Sequence, residues 1–194
     1  MSNVGFFALL YRMKYISRWG LMRNSVKENI SEHSLETAII AHGLAVMRNK
    51  RFGGSVNPEK VALLAMFHDA SETITGDLPT PVKYFNSDIS TSYKQVERVA
   101  LEKLLTMLPD DMRDEYRDIL IPDESNEAMI LVKAADKLSA LLKCIEEESA
   151  GNGEFALAKK LTLESIEQMG VPEAVEFINE FLPSYKLTLD ELIN

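Results

Sequence analysis

Apolar residues recur along this chain at three- and four-residue intervals, and no stretch alternates Val, Ile and Thr with polar residues as a half-buried strand does. That period restricts the chain to packed helices and predicts an all-α fold. The first helix is expected over roughly Phe6 to Ile16. A second starts after Asn29 or Ser31, where Glu32 stands three residues past Asn29 in the manner of a capping box. Leu35, Ile39, Ala41, Leu44 and Val46 form its apolar set, and Phe52-Gly53-Gly54 ends it. Asn57-Pro58 reads as an N-cap with Pro at the first helical position, opening a third helix from Pro58 to about Ile74 that is apolar through Val61, Leu63, Leu64, Met66 and Phe67.

The segment Thr75 to Pro81 holds one Gly and two Pro in seven residues, so neither regular helix nor strand fits it. Further helices are expected at about Ser90–Leu108, Pro109–Leu120, Asn126–Ser149 and Glu154–Met169, with two shorter ones near the C-terminus. A length of 194 residues suits one domain with a substantial core. Apolar content of 46% and charged content of 26% exclude a disordered chain.

The single Cys144 rules out an internal disulfide framework and suits a reducing, cytoplasmic setting. No run of about 20 apolar residues exists to span a membrane. A net charge of -9 argues against a nucleic-acid polymer as partner, because phosphate backbones need clustered cations. The charge is uneven, however. Met1 to Lys27 contains no Asp or Glu but carries Arg12, Lys14, Arg18, Arg23 and Lys27. The run Phe6 to Tyr11 is too short for a secretory signal, so this stretch reads as a folded first helix followed by a local positive patch.

Candidate chemistry lies in the histidines, of which there are three. His68 and Asp69 follow Ala65-Met66-Phe67, and an ionised carboxylate in so apolar a helix needs a cation or several hydrogen bonds. Glu72 lies four residues past His68 and three past Asp69, placing all three toward one side of a helix. For a lone His-Asp pair, a core histidine bonded to its neighbour is the better reading. Asp136 shifts the balance, because it too occupies an apolar helix, within Leu131-Val132-Lys133-Ala134-Ala135-Asp136-Lys137-Leu138. With His33 near the start of the second helix, two His and two Asp can converge on one metal ion. His42 lies nine residues past His33, hence on the opposite face, and is read as structural or exposed.

The pattern His33, His68-Asp69, Asp136 resembles the signature of the HD-domain superfamily of metal-dependent phosphohydrolases. Arg18-Trp19, Glu28 to Leu35, His68 to Glu72 and Gly76 to Tyr84 are similar, more closely, to the bacterial 5'-deoxynucleotidases. The resemblance spans nearly the whole chain and is least diagnostic beyond about Gly151. It implies a single helical HD-type domain over 1–194, with its HD core at roughly 28–145. It also implies hydrolysis of deoxyribonucleoside 5'-monophosphates and a homodimer.

By position, His33, His68, Asp69 and Asp136 are implied to hold one divalent ion: manganese, cobalt, zinc or iron. Glu72 is implied to move a proton or orient the attacking water. Arg18 is implied to clamp the phosphate and to act in catalysis. Trp19 would wall off a 2'-hydroxyl, and Asp77 would accept from the 3'-hydroxyl. Thr80 and the ligands His33, Asp69 and Asp136 complete the implied substrate contacts. The local alternatives are a core Trp19, a solvated Glu72 and a plain turn residue at Asp77.

Two rival functions stay open. One is an HD phosphohydrolase acting on a deoxynucleoside triphosphate or cyclic dinucleotide. The other is a nucleotide-binding module without turnover. Cys144 reads as a small core residue, Glu146-Glu147-Glu148 as a solvated helix face, and Phe6, Phe7, Tyr11 and Tyr15 as core or dimer interface.

Overall fold

The computed structural model describes residues 4–83 and 85–194; Tyr84, the last residue of the Gly76 to Tyr84 motif, lies outside them. The described residues form helices with no strand, so the all-α expectation holds. In chain order these are α1 (Phe6–Leu10), α2 (Ile30–Arg51), α3 (Pro58–Phe67), α4 (Glu72–Thr75), α5 (Thr80–Lys83), α6 (Ser87–Leu105), α7 (Arg113–Leu120), α8 (Glu127–Ser149), α9 (Ala156–Gln168), α10 (Pro172–Glu180) and α11 (Leu189–Ile193).

The long helices begin where their caps dictate. Asn29 Oδ1 accepts from the Ser31 and Glu32 amides at 3.0 and 3.1 Å, while the Glu32 carboxylate accepts from the Asn29 amide at 3.1 Å. This box fixes the start of α2 and therefore the position of His33 in its first turn. Asn57 caps α3 through the Lys60 amide at 2.9 Å, with Pro58 in its expected place.

Helices α2, α3 and α8 pack around one core that includes Leu44, Leu64, Leu131, Leu138 and Leu141, all at most 3% exposed. Each such side chain contributes about 1.5–3 kcal/mol by leaving water. A second cluster joins Phe6 and Ala70 to Leu104, Leu105, Leu108 and Leu120. The turn after α3 is thereby held between two cores.

Four sequence expectations need correction. The third helix does not run on to Ile74: α3 stops at Phe67, and His68 to Ser71 form tight turns before α4. The Ala65 carbonyl, which a continuing α-helix would offer to the Asp69 amide, is taken by the His68 ring at 2.7 Å. On α2, Leu35, Ile39 and Val46 are exposed, and the buried face is Ala38, Ile40, Ala41, Leu44, Ala45 and Met47. Of the aromatic group, the core half of the reading holds for Phe6 alone: Phe7 in α1, and Tyr11 and Tyr15 in the 3-10 turn that follows it, are exposed.

Glu147 is the fourth. It is not solvated but wholly buried, and it pairs with Lys143 at 2.6 Å. It also accepts from the Ser25 and Val26 amides at 2.8 and 3.1 Å and from Asn152 Nδ2 at 2.8 Å. Cys144 is buried as expected, and burial pushes its thiol up to about 11.

Candidate metal centre

Three pieces of chain meet between α2, α8 and the turn after α3. An antiparallel bridge between Ser17 and Asn29 brings Arg18-Trp19 alongside Glu28, one turn before His33. The bridge is closed by the Arg18 amide to the Glu28 carbonyl and by the Ile30 amide to the Ile16 carbonyl, each at 3.0 Å. The strained turn after it is unusual. Trp19 has φ +58°, the left-handed region that bulky side chains rarely enter. Its carbonyl is tied down by the Met22 amide at 2.9 Å and by Asn24 Nδ2 at 3.2 Å.

His33, His68 and Asp136 each offer a donor atom within 4.8 Å of the others. His33 Nε2 lies 3.1 Å from Asp136 Oδ1 and 3.6 Å from Asp69 Oδ2. His68 Nε2 lies 3.1 Å from Asp69 Oδ2 and 3.8 Å from Asp136 Oδ1. The expected four residues are therefore brought together, each aspartate within 3.8 Å of both histidines. His42 is exposed and takes no part.

The ring orientations fit a cation. His68 donates from Nδ1 to the Ala65 carbonyl, which aims Nε2 at the cluster, where a cation would take the place of the proton that the carboxylates otherwise favour. That Nε2 is buried, and no described residue makes a hydrogen bond to it. His33 also turns Nε2 to the carboxylates, while its Nδ1 accepts from Arg18 and lies 3.1 Å from Ser139 Oγ. Two imidazole nitrogens and two carboxylates form a mixed donor set suited to a borderline divalent ion. Burial opposes charge on His68, yet Asp69 and Asp136 carry its pKa well above the usual value. Burial would raise the two aspartates, but the histidines hold Asp69 at about 2 and Asp136 well below the carboxylate range.

Glu72 is buried rather than solvated, at 6% exposure. Burial, then the charges of Asp69 and Asp77, push its carboxyl up to about 9. The same burial raises Asp77, against the pull of Arg18. Asp77 follows Gly76, whose φ of +72° turns the chain sharply at the end of α4. Thr80 is exposed at the start of α5, and no hydrogen bond or ion pair among the described residues joins it to the cluster.

Arg18 enters the centre itself, with Nη1 at 2.5 Å from His33 Nδ1 and Nη2 at 4.0 Å from Asp136. The remaining basic residues of the N-terminal stretch do not form one patch with it. Arg23 pairs with Glu154, while Arg12 and Lys14 lie over the rings of Tyr15 and Tyr11. Trp19 is half-buried against Phe155, with ring centroids 5.3 Å apart, and its guanidinium neighbour lies 5.8 Å from its ring. Sequence reasoning missed two supports: Ser139, which meets His33, and Glu28, a buried carboxylate beside both Arg18 and Trp19. Ser139 follows Asp136 by three residues, a spacing that would have put it on the same face of α8.

Comparison with known proteins gives a consistent picture. A family model described as "5'-deoxynucleotidase YfbR-like" matches residues 5–185. The 5'-deoxynucleotidase of Vibrio parahaemolyticus is 52% identical over 193 residues, covering 99% of this chain and 100% of that protein. That of Vibrio cholerae is 53% identical over 197 residues, with the same coverage. Among solved structures, an HD-domain phosphohydrolase from Listeria innocua superposes with a TM-score of 0.82 at 24% identity, over 95% of this chain and 90% of that one. The HD phosphohydrolase of cyanophage S-2L, solved with dA and one catalytic Zn2+ ion, gives 0.64 at 19% identity, over 93% and 96%. At those identities the superpositions establish the HD-domain fold.

Proposed function

Because the chain belongs to the YfbR-like 5'-deoxynucleotidase family, we infer that it hydrolyses deoxyribonucleoside 5'-monophosphates to deoxynucleoside and phosphate. The observation that carries the reading at residue level is the convergence of the His33, His68 and Asp136 donors, with a guanidinium alongside. His33, His68, Asp69 and Asp136 would hold one divalent ion of the manganese, cobalt, zinc or iron kind. Such an ion supplies polarisation of a phosphoryl oxygen and a lowered pKa for the attacking water.

Arg18 binds the phosphate through paired guanidinium donors, for which its charge is secured by Glu28, Asp136, Asp69 and Asp77 despite burial. Glu72 moves the proton. Burial first, then the charges of Asp69 and Asp77, hold its carboxyl up to about 9; were a cation to offset the charge of Asp69, that value would fall toward neutral pH, where a proton-transfer group is most effective. His33, Asp69 and Asp136 border the phosphate as well as the ion. Trp19 closes the sugar pocket against a 2'-hydroxyl, Asp77 accepts from the 3'-hydroxyl, and Thr80 borders the same entrance.

The working unit is proposed to be a homodimer of 1–194 domains in the cytoplasm. Support for the dimer comes from the exposed apolar residues of α2, Leu35, Ile39 and Val46, and from exposed Phe7, Tyr11 and Tyr15. Support for the compartment is the lone buried thiol. The net charge of -9 favours a small substrate over a nucleic-acid polymer.

The test is phosphate release from a panel of ribo and deoxy mono- and triphosphates with several added metals. Release from deoxymonophosphates is expected. Release from triphosphates alone would overturn the reading.

A further inference from the structure

Glu28 is 8% exposed, and its two carboxylate oxygens have different tasks. Oε1 accepts from Arg18 Nη1 at 2.9 Å, and Oε2 accepts from the Trp19 indole Nε1 at 2.7 Å. Oε1 also lies 3.6 Å from His33 Nδ1. One carboxylate therefore bonds Arg18 and Trp19 at once and lies beside His33. The Trp19 backbone it serves is the one non-glycine residue with positive φ among those described. A conformation of that kind persists only when its surroundings over-determine it. Trp19 is over-determined by its tethered carbonyl, by Phe155 at one ring edge and by Glu28 at the indole nitrogen.

We propose that Glu28 is a positioning residue for sugar selectivity: it locks the Trp19 indole against the pocket through one oxygen while bracing Arg18 with the other, so that the sugar wall and the phosphate clamp move as one unit. The proposal rests on the roles given above to Trp19 and Arg18. The chemistry demands a carboxylate. Two acceptors must face two donors at once, and an amide of the same shape offers only one acceptor, its other terminus being a donor.

Glu28→Gln exploits that difference. The charge-assisted bond to Arg18 is the stronger of the two, so the amide oxygen stays with the guanidinium and its NH2 confronts the indole N–H. The expected result is a drop of about tenfold in the ratio of kcat/KM for 2'-deoxyadenosine over adenosine 5'-monophosphate, at unchanged metal content. Trp19 is the only tryptophan in the chain, so its fluorescence reports the same event. Acrylamide quenching should rise when the indole is released from its partner. Trp19→Phe, which lacks the N–H but leaves Glu28 and Arg18 paired, should lower the ratio similarly, and Glu28→Gln added to it should lower it no further.

An unchanged ratio in Glu28→Gln, with a lowered ratio in Trp19→Ala, would overturn the proposal while sparing the role of Trp19. An unchanged ratio in Trp19→Ala would overturn both. If Glu28→Gln does not fold, Trp19→Phe decides: a wild-type ratio there, against a lowered one in Trp19→Ala, removes the indole N–H from the argument and sinks the proposal.

Discussion

Replacing Glu147 by Ala should destabilise the protein heavily, although this residue lies in a run of three glutamates that reads as solvent-facing. Its carboxylate is fully buried and receives Lys143, two backbone amides and Asn152. Removal strands the Ser25 and Val26 amides and takes the principal partner from an ammonium only 3% exposed. Breaking a buried pair of this kind costs about 3–5 kcal/mol. Lys143 keeps the Val26 carbonyl and Glu146, at 2.5 and 3.2 Å, which places the expected loss near the lower end, about 3 kcal/mol. For a chain of this size that lowers Tm by about 6–12 °C.

The loss should depend on pH in one direction. Burial alone would raise the Glu147 carboxyl, but Lys143 and the amides of Ser25 and Val26 hold it far below the usual range. A depressed carboxylate contributes stability above its unfolded pKa of about 4.3 and loses that contribution as pH falls toward its folded value. Calorimetric melts of wild type and Glu147→Ala should therefore differ fully at neutral pH and converge below about pH 4. A gap under about 1 kcal/mol at neutral pH, or one that widens on acidification, would mean that the Glu147–Lys143 pair does not hold this turn in place.

Other outcomes follow from the same geometry. Glu72→Gln should cut kcat by about a hundredfold with metal content intact, because it removes a proton-transfer group and no ligand; elemental analysis beside steady-state kinetics separates the two. Asp136→Ala should lose the ion, and a full complement in the purified variant would contradict its assignment as a ligand. Trp19→Ala should relax the preference for deoxy over ribo substrates, and a constant ratio would make Trp19 a packing residue only.

Much of this was legible in the sequence for a simple reason: caps and helical periodicity are local signals. Asn29-Glu32 and Asn57-Pro58 name their helix starts without any knowledge of the neighbours. Which face of α2 is buried was not legible. Leu35, Ile39 and Val46 are apolar yet exposed, while the core is made of alanines with Ile40, Leu44 and Met47. The break at His68 was hidden because it arises from the ring's hold on the Ala65 carbonyl, not from a Gly or Pro. Acidic residues in apolar surroundings revealed Asp69 and Asp136. Glu28 and Glu147 lacked that signal: Glu28 is held by Arg18 and Trp19, and Glu147 by the Ser25-Val26 turn that folds back across α8. The family resemblance gave Arg18, Trp19 and Asp77 their roles, which local chemistry left open.

One ion in the His33, His68, Asp69 and Asp136 centre is proposed to enable this chain to cleave a deoxynucleoside 5'-phosphate. The most direct test is a titration of metal-stripped protein, with bound ion and phosphate release from a deoxymonophosphate read on the same samples. Activity should be absent in the stripped protein and rise in proportion to occupancy, saturating at one ion per chain. Full turnover without the ion, or occupancy that rises with no release, would contradict it.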